Sequence, residues 1–436
     1  MNGKQLLAAA LAVTAALSLT AAFVSTGTAS AAGASLAGAD NGGERRALTQ
    51  KEQEDAENLE KLTEEVTATP DTLESVSFAS VESLIRENNL NVRMMNENIA
   101  ILEELDYEDM EDQYRDRLNG LVFVQDIYRV QSNSYAVSSL QSTYDSIYQS
   151  FQDILNGDRQ RSDADTVRQL RNAQDQIVMG GEALYVALLA MDTQRGSLER
   201  QLAALNRTVE EMELRHKLGQ ISDLALQQTK SGRSSLISGL ETLKMNIRTY
   251  TMQLENMLGA NLTGTLHVGS LPAVTQEQIA GMDEEADLLA ARGKSYELYA
   301  AARTLEEAED TFHDSAKAVR YREDSDGYKM AVHTWTAAQN SYNAALQSYE
   351  LRFRTLYEQV KDYYQVWEAS VTALETQQAS YAAQELRYQQ GNISQNTLLS
   401  ARDELDAAEE TTVSNANNLF SAYNNYCWAV QHGILN

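Results

Sequence analysis

The residue types that most often perform catalysis or bind metals are present, but their spacing supports neither role. No two of the five histidines stand four positions apart, the spacing at which one helix face can bind zinc. The sequence contains no Gly-x-Gly-x-x-Gly phrase and no Walker loop for phosphate. We therefore predict that the protein is not an enzyme and has no cofactor or metal. The histidines are His216, His267, His313, His333 and His432.

One acidic loop has part of the pattern of a calcium site. Residues 324–327 read Asp-Ser-Asp-Gly, like the middle of an EF-hand loop. In that register Arg322 takes the first ligand position and His333 the twelfth, where calcium needs a carboxylate. We therefore interpret the loop as a connection between helices.

A phrase that is typical of a helix turn occurs twice. Residues 213–222 and 385–394 share Glu-Leu-Arg, then Gly, Ile and Ser, at one fixed offset. Glycine readily ends a helix in a left-handed conformation, and serine can cap the helix that follows. Each phrase therefore predicts a tight turn between two helices, and the repetition predicts an internal duplication. Gly219 and Gly391 can also serve the turn alone.

Long helices are predicted on both sides of each turn. Residues 328–390 contain no proline or glycine, enough for a helix of about 95 Å at 1.5 Å per residue. Helix breaks are predicted at 156–158 and 323–327, at similar distances before the two turns. We also expect a further turn at Asn119-Gly120 and a kink at Gly180-Gly181.

The helices after the turns carry a seven-residue repeat, the pattern of a coiled-coil seam. The predicted fold class is therefore all-α: an elongated antiparallel coiled coil or helical bundle of two tandem repeats with long helical hairpins. The seam positions are Leu236, Leu240, Leu243, Ile247, Tyr250, Leu254 and Met257 in the first return helix, and Leu405, Ala408, Thr412, Ala416, Leu419, Tyr423, Tyr426 and Val430 in the second.

The two prolines mark the predicted repeat boundaries. Proline does not fit a helix interior, and Pro70 and Pro272 each precede a similar helical phrase. We predict repeats at 70–271 and 272–436, preceded by an acidic flexible or helical leader at 32–69.

The first 31 residues have the pattern of a secretory signal peptide. An apolar run follows Lys4, and Ala29-Ser30-Ala31 offers a cleavage site. The run is also nearly long enough to anchor the chain in a bilayer, so an uncleaved anchor is the alternative. We expect export to the cell envelope, the cell surface or the periplasm, and no transmembrane segment in the mature chain.

Composition limits the class of partner. Hydrophobic residues make up 43% of the chain, which permits a substantial core, and the 22% charged fraction suits long helices. The formal net charge is −28, and clustered lysines and arginines are absent, so nucleic acid is excluded as a partner. Cys427 is the only cysteine, so no intrachain disulfide forms.

Two tandem units, each with a long helix, a turn of the form Arg-x-x-x-Gly-x-Ile-Ser and a return helix, resemble the TolC family of outer-membrane efflux proteins. Residues 290–298 resemble the family's unit-opening helix, and 258–262 followed by Leu271-Pro272 resemble its inter-repeat junction. This resemblance covers roughly residues 75–436 and implies a homotrimer. It also implies that the turns dock on a periplasmic adaptor protein that serves an ABC or other efflux transporter. The residues it assigns to partner binding are Arg215, Gly219, Ile221, Ser222, Arg387, Gly391, Ile393 and Ser394.

The chain departs from that family in two ways. Family members usually carry an acidic residue six positions after the turn glycine, where this chain has Ala225 and Thr397. The family also inserts membrane-spanning β-strands in each unit, but neither predicted break offers about ten residues of alternating polarity. Residues 121–124 are too short for such a strand. We therefore expect the helical part of the family fold without its β-barrel.

The sequence thus supports two hypotheses. The first is a TolC-like envelope component of an efflux or export system whose turns dock on an adaptor. The alternative is a structural coiled-coil spacer on the cell surface, which an absence of nearby adaptor and transporter genes would favour.

Overall fold

A computed structural model describes residues 71–131 and 134–435. The predicted signal peptide (1–31) and leader (32–69) lie outside the described residues, as does Pro70. The described part consists of eleven α-helices and two short strands, which confirms the all-α prediction. The elements are β1 (Ser75–Val76), α1 (Phe78–Asn88), α2 (Leu90–Glu103), α3 (Tyr107–Val130), α4 (Ser134–Leu155), α5 (Asp158–Lys217), α6 (Asp223–Met257), β2 (His267–Val268), α7 (Gln276–Ala280), α8 (Glu284–Lys294), α9 (Tyr296–Ala318), α10 (Asp326–Gln389) and α11 (Gln395–His432).

The chain groups into two compact units, each described by itself. The first unit contains 71–84 and Gly180–Ser270, and the second contains Ile85–Met179 and 271–435. The unit boundaries fall within α1 and α5. The repeat boundaries at 70–271 and 272–436 concern duplication of the sequence and stay a prediction.

The predicted seams lie on the inner faces of the two return helices. In α6, Leu240, Leu243 and Leu254 are buried. In α11, Leu419 and Tyr426 belong to a core to which α8, α9 and α10 also contribute. All fifteen predicted seam residues are buried or half-buried, because a seven-residue repeat keeps its apolar side chains on one helix face. The coiled-coil interpretation is confirmed.

The turn predicted at Asn119-Gly120 is wrong, and the kink predicted at Gly180-Gly181 stays a prediction. Asn119-Gly120 lies inside α3, and Gly180-Gly181 lies inside α5, which runs unbroken for 60 residues. A glycine inside a helix costs only about 1 kcal/mol relative to alanine, so packing of the flanking residues outweighs it. Breaks are present at both predicted places, at 156–157 and at 319–325, so that Asp158, Asp326 and Gly327 already belong to helices. Gly157 turns the chain with φ +77°.

A parallel strand pair closes one side of the first unit. Ser75 and Val76 pair with His267 and Val268. The buried Tyr185 of α5 holds this pair, since its hydroxyl lies 2.8 Å from the carbonyl oxygen of Gly269 and 3.2 Å from that of Val76. Burial raises the pKa of Tyr185, which keeps the hydroxyl protonated as a donor.

A buried carboxylate organises the loop that leads into β2. Glu255 of α6 is 1% exposed. Its Oε1 accepts hydrogen bonds from the Thr263 hydroxyl at 2.7 Å and from the Thr265 and Leu266 amides at 3.3 Å, and its Oε2 accepts one from the Gly264 amide at 2.8 Å. Burial alone would raise the pKa of Glu255, but these hydrogen bonds hold it below the usual value of 4.5. The charged form therefore stabilises the loop.

We expect Glu255→Gln to destabilise the 263–266 loop by about 2 kcal/mol, because hydrogen bonds to a charged group are lost inside the protein. Hydrogen–deuterium exchange of the loop amides should then be about thirtyfold faster. Since the folded pKa of Glu255 is lowered, the wild-type loop is protected above the ordinary glutamate pKa. This protection is lost as the pH falls through the folded pKa.

The control for this experiment is Glu241→Gln on the same helix, whose exposed carboxylate only pairs with Lys244 at 3.3 Å. This change should leave loop exchange unaltered. Equal amide exchange rates in Glu255→Gln and the wild type would contradict the assigned role of Glu255. So would protection of the wild-type loop that stays constant as the pH is lowered.

The end of α11 is fixed tightly in the second unit. Gly433 has φ +71°, and a Cβ there would lie 2.3 Å from the Ser295 nitrogen, so only glycine fits. The buried Tyr349 donates its hydroxyl hydrogen to the Gly433 carbonyl at 3.1 Å, and burial raises its pKa to about 12. The hydrogen bond holds the end of α11 against α10, and the close approach at Gly433 places it against Ser295, between α8 and α9.

Candidate functional site: the two helix tips

The first candidate surface is the turn between α5 and α6, which we call tip 1 (residues 214–224). Gly219 has φ +71°. Its amide donates to the His216 carbonyl at 2.9 Å, and the Gln220 amide donates to the Arg215 carbonyl at 2.9 Å. This pair of hydrogen bonds is the Schellman motif, which satisfies the last carbonyls of a helix. The turn predicted at Gly219 is therefore present.

The second candidate surface is the turn between α10 and α11, tip 2 (residues 386–396). Gly391 has φ +72°. Its amide donates to the Tyr388 carbonyl at 2.9 Å, and the Asn392 amide donates to the Arg387 carbonyl at 2.9 Å. Both tips thus have the same backbone hydrogen bonds at matching positions of the repeated phrase.

Serine begins the return helix at each tip. The Ser222 hydroxyl accepts from the Ala225 amide at 3.3 Å, and the Ser394 hydroxyl accepts from the Thr397 amide at 3.2 Å. The prediction of serine caps is confirmed. At the positions where the resembled family carries an acid, Ala225 and Thr397 serve as third residues of the return helices.

The predicted site residues divide into structural and exposed groups. The two glycines and two serines form the turns by the hydrogen bonds described above. Ile221 and Ile393 are half-buried. Arg215 is exposed and pairs with Glu211 on its own helix, and Arg387 is exposed as well. Their role in partner binding stays a prediction.

Exposed leucines are the feature that the sequence interpretation missed. Leu214 and Leu386 occupy the same position of the repeated phrase and are 59% and 56% exposed. Tip 1 adds Leu218 and Leu224, which are 64% and 67% exposed. The signal of Leu214 and Leu386 in the sequence is that the repeated phrase has leucine at the same position in both copies. Side chains of this size gain stability when a partner covers them.

The tips differ in charge. At tip 1, His216 Nε2 lies 2.6 Å from Asp223 Oδ1 across the turn, and Lys230 Nζ lies 2.8 Å from Glu213 Oε1 between the helices. The hydrogen bond and charge of Lys230 hold the pKa of Glu213 below its usual range. Tip 2 has no ionisable acid or base between 388 and 401 apart from Tyr388. The two tips therefore share a backbone but offer different surfaces.

Metal-binding clusters and membrane-spanning helices are both absent from the part of the chain that the structure describes. Across the described residues, no group of three or more His, Cys, Asp or Glu side chains is placed to hold a metal ion. No helix in the described ranges is both long and apolar enough to cross a membrane.

Comparisons with known proteins found solved structures that are similar to this chain. No family model and no curated protein matches the chain. The solved structures that it resembles are membrane channels and membrane proteins. CusC shares 14% identity over 81% of this chain and 96% of its own, with a TM-score of 0.47. The Campylobacter jejuni outer membrane channel CmeC shares 12% identity over 67% of both chains, with a TM-score of 0.46. A Pseudomonas aeruginosa membrane protein shares 11% over 83% of this chain and 91% of its own, with a TM-score of 0.49.

We expect Gly219→Ala and Gly391→Ala each to destabilise its tip by about 1 kcal/mol, because an L-residue with a Cβ is disfavoured at these φ values. No atom lies within 4 Å of a Cβ built at either glycine, so the effect is conformational alone. The matched control is Gly232→Ala inside α6, which also has open space and should stabilise its helix by about 0.5–1 kcal/mol. Thermal unfolding and amide exchange at the tips measure whether each substitution lowers or raises stability. A stabilising effect of Gly219→Ala would contradict the Schellman turn.

Proposed function

We propose that the protein is a TolC-like component of the cell envelope that assists efflux or export by docking its two tips on an adaptor protein. The observation that carries the proposal is the occurrence of two turns with the same hydrogen bonds, each presenting an exposed leucine beside an exposed arginine. The turns end helices of 60 and 64 residues, and the resemblance of their sequence to TolC-family turns supplies the class of partner.

The tip surfaces suit a helical hairpin as partner. Burying one exposed leucine side chain contributes about 1.5–3 kcal/mol, and Leu214 and Leu386 offer one such anchor at each tip. The guanidinium groups of Arg215 and Arg387 can each donate two hydrogen bonds to a carboxylate of the partner, which forms a bidentate pair. Although the chain is acidic overall, its tips carry these basic groups. We therefore expect the adaptor to have acidic residues in the segments that contact the tips.

Site-specific photo-crosslinking tests the docking directly. A photoreactive residue at Leu214 or at Leu386 should capture the same partner protein in living cells, and mass spectrometry should identify a protein with a helical hairpin. Leu289 of α8 is 72% exposed but lies away from both turns in sequence, and a photoreactive residue there is the control. If the photoreactive residue at Leu289 captured the same proteins as those at Leu214 and Leu386, this would contradict a tip-specific interaction.

The paired change Gly219→Pro and Gly391→Pro separates docking from a spacer role. Proline has no amide hydrogen for the Schellman bonds and holds φ near −65°, so both turns should lose their geometry. We expect partner capture and export to fail while helix content measured by circular dichroism stays near that of the wild type. Unchanged export would remove the main support for docking and favour the coiled-coil spacer at the cell surface.

We also propose a homotrimer, the assembly that the resemblance implies. Light scattering of the exported protein in detergent-free buffer should give three times the chain mass over a range of concentrations. A monomer at every concentration would overturn self-assembly and leave a helical spacer, or a subunit that assembles only with its partner.

A further inference from the structure

The α3–α4 hairpin of the second unit is a two-helix coiled coil, and its outer end lies where α3 ends and α4 begins. Its base is attached to α5, where the Tyr107 hydroxyl donates to Asp163 at 3.1 Å. Its helices pack against each other, and Gln125 Nε2 donates to Gln141 Oε1 at 3.3 Å between them. With 24 residues in α3, the outer end lies about 35 Å along the helix from Tyr107.

Each helix of the hairpin already has a complete inner seam. The seam side chains are buried or half-buried and follow one another at spacings of three or four residues. They are Tyr107, Met110, Tyr114, Leu118, Leu121, Gln125 and Tyr128 in α3, and Val137, Leu140, Tyr144, Ile147, Phe151 and Ile154 in α4.

A second set of apolar side chains near the outer end faces outward. These side chains lie outside the seam. Each of them has between 37% and 87% of its surface exposed. They are Val122 (43%), Phe123 (69%), Val124 (37%), Ile127 (42%), Val130 (87%) and Tyr135 (85%).

The distribution of these side chains around α3 decides what kind of partner can cover them. Successive helical residues differ by about 100°, so Val122, Phe123 and Val124 together extend around about 200° of the helix. One packed helix covers an apolar stripe little wider than about 100°. A fluid apolar phase covers all three at once.

The charges of the hairpin favour the same partner. From 118 to 144 the only side chains that are charged at neutral pH are Asp126 and Arg129, and they pair with each other at 3.2 Å. The outer end therefore brings no net charge to a surface, although the chain carries −28. The acidic residues Glu108 and Asp109 at the base would remain in water, because ionised carboxylates are expensive to bury.

We propose that the outer end of the α3–α4 hairpin docks on a lipid bilayer at its interfacial layer. Phe123 and the aliphatic side chains enter the boundary of the acyl chains, and Tyr135, aromatic with a polar hydroxyl, lies at headgroup level. The end is an interfacial contact and not a membrane span, since none of the described helices is long and apolar enough to cross a bilayer.

Vesicle flotation tests this contact. The exported protein is mixed with phosphatidylcholine vesicles, or with the same vesicles containing phosphatidylglycerol, and bound protein is separated by density. We expect binding to both, differing by only a few-fold, because the docking surface is apolar and neutral. Phe123→Glu combined with Val130→Glu should weaken binding at least tenfold, since each change removes an apolar side chain from the contact and adds a charge.

The matched control is Leu351→Glu in α10, a leucine of the same unit that is 67% exposed and should not change flotation. Because the variants differ only at these positions, lipid contacts of any other segment cancel in the comparison. Circular dichroism confirms that each variant folds. In addition, when vesicles are added to Phe123→Trp, the tryptophan fluorescence should increase and its emission should shift to shorter wavelength.

Three results would overturn the proposal. One is no flotation of the wild type with either vesicle. Another is flotation that Phe123→Glu with Val130→Glu leaves unchanged. The last is a mass in detergent-free buffer that rises with concentration and that the same double variant abolishes, because this would assign the outer end to a second copy of the chain.

Discussion

Burial of apolar side chains along seven-residue seams is the interaction on which the other features depend. A single helix of 60 residues exposed to water has little to stabilise it beyond local propensity. In the second unit, α10 contributes Phe353, Tyr357 and Val360, and α11 contributes Leu419 and Tyr426, to one core. This packing fixes the direction of both helices. The turn between them can therefore use its residues for a defined backbone geometry and its exposed side chains for binding.

The tips show how local chemistry ends such a pair of helices. Gly219 and Gly391 adopt left-handed φ values, and the same two backbone hydrogen bonds follow in each case. Because backbone groups and the serine caps satisfy the helix ends, the neighbouring arginines and leucines are not needed for the turn. Their side chains are exposed on both tips, which explains how one geometry can carry a charged surface at tip 1 and a largely uncharged one at tip 2.

Features that depend on nearby residues could be predicted from the sequence, and features that join distant segments could not. The turns, the serine caps and the seams follow from spacings within a few residues. The β1–β2 pair was missed, because a two-residue strand has no periodicity and its partner lies about 190 positions away. The Glu255 contacts were missed although their partners are only 8–11 positions away, because an irregular loop also has no periodic pattern. The turn expected at Asn119-Gly120 was wrong because the seam residues Leu118 and Leu121 outweigh a weak helix former.

The uneven distribution of charge connects the proposed contacts. A net charge of −28 keeps most of the surface hydrated and repels other acidic surfaces. Contact with a partner or a lipid surface is then least opposed where acidic groups are absent or paired. Tip 2 and the outer end of the α3–α4 hairpin meet this condition because their sequences contain few or no acidic residues. Tip 1 meets it because Glu213 lies against Lys230 and Asp223 lies against His216. The acidic surface thus disfavours nonspecific association, and the three regions proposed for docking are places where leucine, phenylalanine or valine side chains are exposed.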